Sequence, residues 1–382
     1  MIIMRKIFFF CLILSIAQWA QAQTQPTAVP KTNRIAPNDL ASLQTQEAKL
    51  KDIFNFNYFT TKIYDTLRNL DTTQRKNEKL MESLAKKLVR RDYIRRAQAN
   101  DTFVRHFVKT LKTPNSFHYP FDSLVARGMS IVKSPDEKFR IITWSLPEHD
   151  ETGAYTYLYF GAIQMDTSIL RLFPLQDKSG QMASPDQKNG DNSEWFGALY
   201  YGITQNTHND TTYYTVFGWD GNNERSTKKI ADVLYFDADG KPKFGAPIFQ
   251  VIKNNKLLFR SRFIMEFKEG ATVTLNWDAE QNKIIFDNLS SEDGESTKKT
   301  NTAGVTSAQN AGAGNEFTLI PEGIYSGLEF REGKWYYIQT VMREFLKSVP
   351  IPAPVLNKDS GKMPLKKGAK DKTKSKGKSK NK

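Results

Sequence analysis

The sequence predicts an α+β protein in which an N-terminal helical segment precedes a large antiparallel β-sheet body. Between Asn38 and Lys112 the apolar residues recur with a period close to that of a helix. After Pro120 apolar and polar residues alternate, and turns rich in Gly, Asn and Asp separate the apolar runs. These runs lie too close together for βαβ crossovers, which favours consecutive antiparallel strands.

The net charge is concentrated at the ends of the chain. The 382 residues have a formal net charge of +14, of which residues 357–382 contribute +9 and residues 1–22 contribute +2. The remaining +3 belongs to residues 23–356, so the predicted body is close to neutral. This distribution argues against an intrinsically basic nucleic-acid-binding fold.

The first residues have the pattern of a signal peptide. Arg5 and Lys6 precede the apolar run 7–17, and small residues follow, which predicts cleavage between Ala22 and Gln23. The apolar run is shorter than the ~20 residues that a membrane-spanning helix needs. We therefore expect an exported protein, periplasmic or extracellular, without a transmembrane segment.

Cys11 is the only cysteine of the chain, and it lies within the predicted signal peptide. The aromatic run 8–10 precedes it, where a lipoprotein cleavage site would have small residues, so we predict no lipid anchor. The mature chain would have no disulfide, thiolate zinc site or cysteine nucleophile.

Composition divides the chain into seven segments. They are a signal peptide (1–22), a flexible lead-in (23–37), a helical region (38–120), an antiparallel β body (121–289), a disordered insertion (290–316), a hairpin that completes or caps the β body (317–347), and a Pro-rich spacer with a disordered Lys-rich tail (348–382). The insertion has no aromatic residue, so it cannot bury enough apolar surface to offset the entropy of ordering.

Three helix starts are predicted in the helical region. Asp39 is a candidate N-cap, and the segment 71–74 has the residue types of a capping box. Asn100 or Asp101 is a candidate start for a third helix, which Pro114 would end.

The β body shows several strand patterns. Residues 155–165 are apolar on both sides, as in a central strand, and residues 213–219 alternate. In 259–267 Phe, Ser and Met alternate with mainly polar residues, which predicts a strand with one buried face. Residues 226–230 are compatible with one helical turn, and Asp239-Gly240 with a tight hairpin. A sandwich, an open barrel and a curled meander all fit these patterns.

Four common catalytic and cofactor motifs are missing from the sequence. There is no HExxH, GxSxG, GxxxxGK[ST] or GxGxxG pattern, and no two of the four histidines have the spacing of a helical zinc site. We therefore predict no cofactor and no metal site. The turn 220–224 offers oxygen ligands to Ca²⁺. A second segment, Asp237-Ala238-Asp239, has the acidic residues of a calcium loop, but the residues around it do not have the spacing that such a loop requires.

The candidate site residues are carboxylates in predicted β-hairpin loops. Glu148, His149 and Asp150 are adjacent, and Glu194 stands beside Trp195. Glycoside hydrolysis needs two carboxyl groups ~5–10 Å apart across a cleft. A solvent-exposed hairpin tip explains the same residues without any chemistry.

Two basic features remain. Lys87, Arg91 and Arg95 form a stripe on a predicted helix, which fits a solvated, salt-bridged face or a nucleic-acid contact. The tail has no arginine or aromatic residue, which argues against sequence-specific nucleic-acid binding. We expect it to associate weakly with an anionic envelope surface or polymer. Its closely spaced lysines are Lys366, Lys367, Lys370, Lys372, Lys374, Lys376, Lys378, Lys380 and Lys382.

Three segments resemble parts of uncharacterised exported proteins of Bacteroidetes. They are 217–223, 233–237 together with 240–242, and 327–335, and the resemblance covers mainly residues 130–345. It implies a Gram-negative envelope location, and it carries over no activity, cofactor or site residue.

The sequence thus favours an exported, non-catalytic envelope or secreted protein that binds a protein or glycan partner. The alternative is a secreted hydrolase that acts on glycans or esters through carboxylates in hairpin loops. Binding of DNA or RNA through the helical stripe is a third hypothesis, which would require a steep salt dependence.

Overall fold

A computed structural model describes residues 35–54, 78–149, 155–167, 169–253, 256–291 and 319–341, with the backbone alone for 78–92 and for the single residues 149, 155, 253, 291, 340 and 341. The predicted signal peptide with its cleavage site, the predicted capping box at 71–74, nearly all of the predicted insertion, and the Pro-rich spacer with the Lys-rich tail lie outside these residues.

The helical region supplies two long helices and two short turns. They are α1 (Pro37–Phe54), α2 (Glu78–Leu111), a 3-10 turn (Ser116–His118) and α3 (Asp122–Val125). The predicted helix start at Asn100 or Asp101 is wrong, because α2 continues through both residues. Asn100 is buried, and its Oδ1 accepts a 2.8 Å hydrogen bond from the indole of Trp144, so it anchors the sheet instead of capping a helix.

The strands that follow fill the rest of the described chain. They are β1 (Ser130–Lys133), β2 (Phe139–His149), β3 (Tyr155–Met165), β4 (Arg171–Gln176), β5 (Gly190–Asp191), β6 (Leu199–His208), β7 (Thr211–Asp220), β8 (Ser226–Phe236), β9 (Pro242–Phe244), β10 (Phe249–Lys253), β11 (Lys256–Arg260), β12 (Arg262–Lys268), β13 (Leu275–Asp278), β14 (Lys283–Ser291), β15 (Leu319–Arg331) and β16 (Lys334–Val341).

These strands form three sheets, and nearly all their pairings are antiparallel. The first sheet has the order β1-β2-β3-β4, with β3 central as predicted. The middle sheet has the order β5-β9-β8-β7-β6, with β12 also paired to β8. The third sheet has the order β11-β10-β16-β15-β14-β13, in which β10 and β16 are parallel. The predicted α+β class is confirmed.

The sheets and helices stack into four layers with three apolar cores between them. Phe107 of α2 packs with Trp144 of the first sheet in the first core. Val216 of the middle sheet lies in the second core, against the other face of the first sheet. Its neighbour Phe217 lies in the third core together with Trp335 of the third sheet. The middle sheet is therefore buried on both faces.

Two predictions for strands of the middle sheet are wrong. The pattern at 259–267 predicted one buried face, but all of β12 except its last residue is buried. Arg262 is 0% exposed there and forms a 2.7 Å ion pair with Asp232. Residues 226–230, predicted as a possible helical turn, form the first half of β8, where both neighbouring strands satisfy the backbone.

The last two strands form a hairpin with a two-residue turn. Glu332 and Gly333 both have positive φ, 49° and 76°, which is the conformation of a type I′ turn. β15 also pairs with β14, so this hairpin is part of the third sheet.

Candidate functional site

A cleft opens at one end of the interface between the first and middle sheets, with a volume of about 580 Å³. We call it the polar cleft. Its walls include Glu148, Tyr157, the loop 177–186, Asp220, Lys228 and Glu266.

The ends of several strands bring these side chains together. Glu148 is near the end of β2 and Tyr157 near the start of β3, so the first sheet supplies one wall. Asp220 is the last residue of β7, Lys228 lies near the start of β8, and Glu266 lies in β12. The middle sheet therefore supplies the opposite wall.

Direct contacts join the two sheets at the cleft. A single β-bridge links Thr156 of the first sheet to Asn223 in the turn of the middle sheet. The phenol of Tyr159 donates a 2.9 Å hydrogen bond to Oδ1 of Asp220, and the backbone amide of Asn222 donates a 2.8 Å hydrogen bond to the same oxygen. Asp220 is only 5% exposed, and burial raises the pKa of its carboxyl group.

Glu266 forms a second buried carboxylate beside the first. Its Oε1 accepts hydrogen bonds from Ser226 Oγ at 2.7 Å and from Asn222 Nδ2 at 3.0 Å. Burial also raises the pKa of Glu266, although the positive charge of Lys228 acts in the opposite direction. The Lys228 ammonium donates a 2.9 Å hydrogen bond to Asn222 Oδ1, so Asn222 connects the carboxylate to the cation.

The loop 177–186, here called the strap, closes the third side of the cleft. At its start Asp177 Oδ2 accepts a 3.0 Å hydrogen bond from the backbone amide of Tyr159 in β3, and Asp177 Oδ1 accepts two more from the amide and hydroxyl of Ser179 within the strap, at 2.9 and 2.6 Å. At its end the carbonyl of Pro185 accepts a 2.8 Å hydrogen bond from Nη1 of the buried Arg262. Both ends of the strap are thus fixed to the sheets.

The structure separates the carboxylates that the sequence grouped. Glu148 lines the polar cleft, and the Tyr93 phenol of α2 forms a hydrogen bond with it. The Glu194 side chain is 51% exposed, lies outside the cleft lining, and forms a 3.6 Å ion pair with Lys188. The side chain of His149 and all of Asp150 fall outside the described residues.

The sequence did not identify the principal cleft residues as a group. Asp220 and Asn222 were noted only as oxygen ligands in a calcium-like turn, whereas their contacts connect Tyr159, Lys228 and Glu266. Within the described part of the chain, no cluster of three or more His, Cys, Asp or Glu side chains is arranged to hold a metal ion.

The helical stripe is only partly described. Arg95 is exposed, whereas its neighbour Arg96 is 1% exposed and donates a hydrogen bond to the carbonyl of Pro147. The side chains of Lys87 and Arg91 lie outside the described residues. Arg96 therefore holds α2 against the end of β2, next to the wall that Glu148 supplies.

No family model, curated protein or solved structure matches this chain. Among the described helices, none combines the length and the apolar composition needed to cross a membrane.

Proposed function

We propose that this chain is an exported, non-catalytic binding protein that holds a small polar ligand in the polar cleft. One observation carries the proposal: a concave site of about 580 Å³ lies between two sheets and is lined by both polar and apolar side chains. Ligand sites of proteins typically have volumes of about 300–1,000 Å³ and fix their ligands with a few polar groups.

The hydrogen bonding of the carboxylates supports binding over catalysis. One oxygen of Asp220 and one of Glu266 each accept two hydrogen bonds from the protein. A general acid or base must exchange a proton with the substrate at hydrogen-bond distance. Groups held by this many internal donors are better suited to shaping a site than to transferring protons.

Ligand-induced stabilisation tests the proposal, because a ligand that binds only the folded state raises the unfolding temperature. We expect at least one member of a library of saccharides, peptides, nucleotides and amino acids to stabilise the full-length protein. Ser184→Trp, which places a bulky group on the strap at the cleft, should abolish that stabilisation.

Gln187→Trp is the matched control, because Gln187 is exposed and follows the strap without lining the cleft. Loss of stabilisation in both variants, or in neither, would contradict binding in the polar cleft.

The export part of the proposal rests on the N-terminal pattern and on the resemblance to exported Bacteroidetes proteins. We propose in addition that the lysines of 357–382 associate with anionic envelope material, each contributing up to about 1 kcal/mol near such a surface. Full-length protein should bind vesicles of phosphatidylglycerol and phosphatidylcholine more tightly than a chain that ends at Leu356. Equal binding, or binding that does not weaken with salt, would exclude this role.

A second candidate function is hydrolysis of glycans or esters. It is favoured by one specific observation: Asp220 and Glu266 line the same cleft, and burial raises the pKa of both. Raised carboxyl pKa values are typical of general acids. Turnover of a glycan or ester panel that is lost in both Asp220→Asn and Glu266→Gln would replace the binding proposal with this one.

A further inference from the structure

We propose that the ligand of the polar cleft is an uncharged saccharide, with one sugar ring packed against Tyr157. This inference rests on the proposed binding function and narrows it to one chemical class. It follows from the partners that the charged groups of the cleft have within the protein, from the fixed position of one aromatic ring, and from the size of the space.

The charged groups of the middle-sheet wall interact with one another. Lys228 is the cation beside Asp220 and Glu266, and its charge lowers the pKa of both carboxyl groups against the effect of burial. Asn222 donates to Glu266 and accepts from Lys228. This wall therefore presents fixed hydrogen-bond donors and acceptors, and its two carboxyl groups outnumber its one cation, which disfavours an anionic ligand.

The other acidic residues of the cleft are also engaged. Asp186 forms a 2.9 Å ion pair with Arg260, and Glu148 takes part in a hydrogen bond with Tyr93. Asp177 accepts its hydrogen bonds from the backbone and from a serine. Most charged groups of the cleft are therefore already engaged within the protein, which disfavours a strongly charged ligand. A hydroxyl group both donates and accepts hydrogen bonds, so it suits a lining that offers both donors and acceptors.

Tyr157 supplies an aromatic wall whose position is fixed. Its ring lies 5.4 Å from the ring of Trp219 in a T-shaped arrangement. Gly221 packs directly against it, because a Cβ at that position would lie 2.3 Å from Tyr157 Cε2. A sugar ring has an apolar C–H face and polar hydroxyl edges, so it can cover such a ring while its hydroxyls reach the polar walls.

The apolar part of the lining agrees with an amphipathic ligand of this kind. Leu158, Phe196 and Ile264 line the same cleft as the polar groups. The strap covers a third side, so the space of about 580 Å³ fits a short oligosaccharide and not a broad polymer surface.

Titration of the full-length protein with neutral disaccharides tests the inference. The probes are cellobiose, maltose, lactose and N,N′-diacetylchitobiose, and binding is measured by calorimetry and by saturation-transfer NMR. We expect at least one to bind, with affinity about tenfold or more weaker in Tyr157→Ala and nearly unchanged in Tyr157→Phe, since the contact requires the ring and not the hydroxyl. Tyr336→Ala is the control, because Tyr336 packs against Phe259 and Arg331, away from the cleft.

Three outcomes would overturn the inference. One is the absence of binding by all four disaccharides. Another is an equal loss of affinity in Tyr157→Ala and Tyr336→Ala. The third is a peptide, nucleotide or charged amine that stabilises the wild type but not Ser184→Trp while the saccharides do not, which would leave the proposed binding function standing. If no library member acts through the cleft, the proposed function itself fails.

Discussion

Tyr159 and Asp220 are 61 residues apart in sequence, and the phenol of one donates a 2.9 Å hydrogen bond to the carboxylate of the other. Tyr159 belongs to the first sheet and Asp220 to the middle sheet. The same phenolic oxygen accepts a 2.8 Å hydrogen bond from the Gly221 amide. This buried contact fixes the spacing of the two sheets beside the polar cleft.

Removing the Tyr159 hydroxyl should destabilise the fold. In Tyr159→Phe the buried Gly221 amide loses its acceptor and Asp220 loses a donor, which typically costs about 1–3 kcal/mol. Urea unfolding of Tyr159→Phe and of Tyr336→Phe, on the surface of the third sheet, measures the difference. We expect less than about 0.5 kcal/mol for the control. Equal stability of the two variants would contradict the role of this contact.

The buried Asp220 should make stability depend on pH in a defined direction. Its folded-state pKa is raised above the usual 3.8, so the folded protein binds this proton more tightly than the unfolded chain does. Its contribution to stability is therefore present at low pH and is lost as pH rises towards the raised value. The free energy of unfolding of Asp220→Asn, minus that of the wild type, should increase as pH rises above about 4.

Asp191 provides the opposite case as a control. Hydrogen bonding from the Ser193 hydroxyl is the main cause that lowers the pKa of Asp191. Its contribution to stability is present above the ordinary pKa and is lost as pH falls, so the same difference for Asp191→Asn should decrease as pH rises. Parallel pH profiles for the two variants would refute the assigned environments.

The anchor at the start of the strap requires a glycine at position 197. The Gly197 amide donates a 3.2 Å hydrogen bond to Asp177, and a Cβ there would lie 2.4 Å from Asp177 Cγ. Gly197→Ala should therefore cost about 1–3 kcal/mol through overpacking. Gly180→Ala in the strap is the control, because a Cβ at that position meets nothing within 4 Å. Thermal unfolding of both variants tests this prediction. Equal unfolding temperatures would contradict the requirement for glycine at position 197.

Trp335 connects the last strand to the middle sheet. Its indole donates a 3.1 Å hydrogen bond to Oγ1 of Thr215, and both residues are 0% exposed. Thr215→Val leaves this buried donor without its acceptor, which should cost about 1–3 kcal/mol. Thr212→Val, near the start of the same strand, should cost less than about 0.5 kcal/mol in the same urea titration. A control variant as unstable as Thr215→Val would show that the indole contact is not the cause.

The fold class could be predicted from the sequence because it depends on patterns between residues that are close together in the chain. The alternation at 213–219 and the turn at Asp239-Gly240 depend on neighbours in the chain, and β7 and the β8–β9 hairpin lie there. The burial of the middle sheet on both faces was not predictable in this way. It depends on the pairing of Arg262 in β12 with Asp232 in β8, and no local sequence pattern indicates that pairing.

The site was less predictable than the fold for the same reason. Glu148 was selected from its carboxylate-rich neighbourhood, but Glu266 was interpreted as the polar side of a half-exposed strand. Its partner Asn222 is 44 residues earlier in the chain, and only the topology of β8 and β12 brings the two together. Long-range polar pairs of this kind define the polar cleft.

Hydrogen exchange of the full-length protein, with and without a disaccharide that stabilises it, tests the central claim most directly. We expect slower exchange in the strap 177–186 and at 220–228, which form walls of the cleft, and little change in the β15–β16 hairpin. Protection confined to that hairpin or to the helices, with the strap unchanged, would contradict ligand binding in the polar cleft.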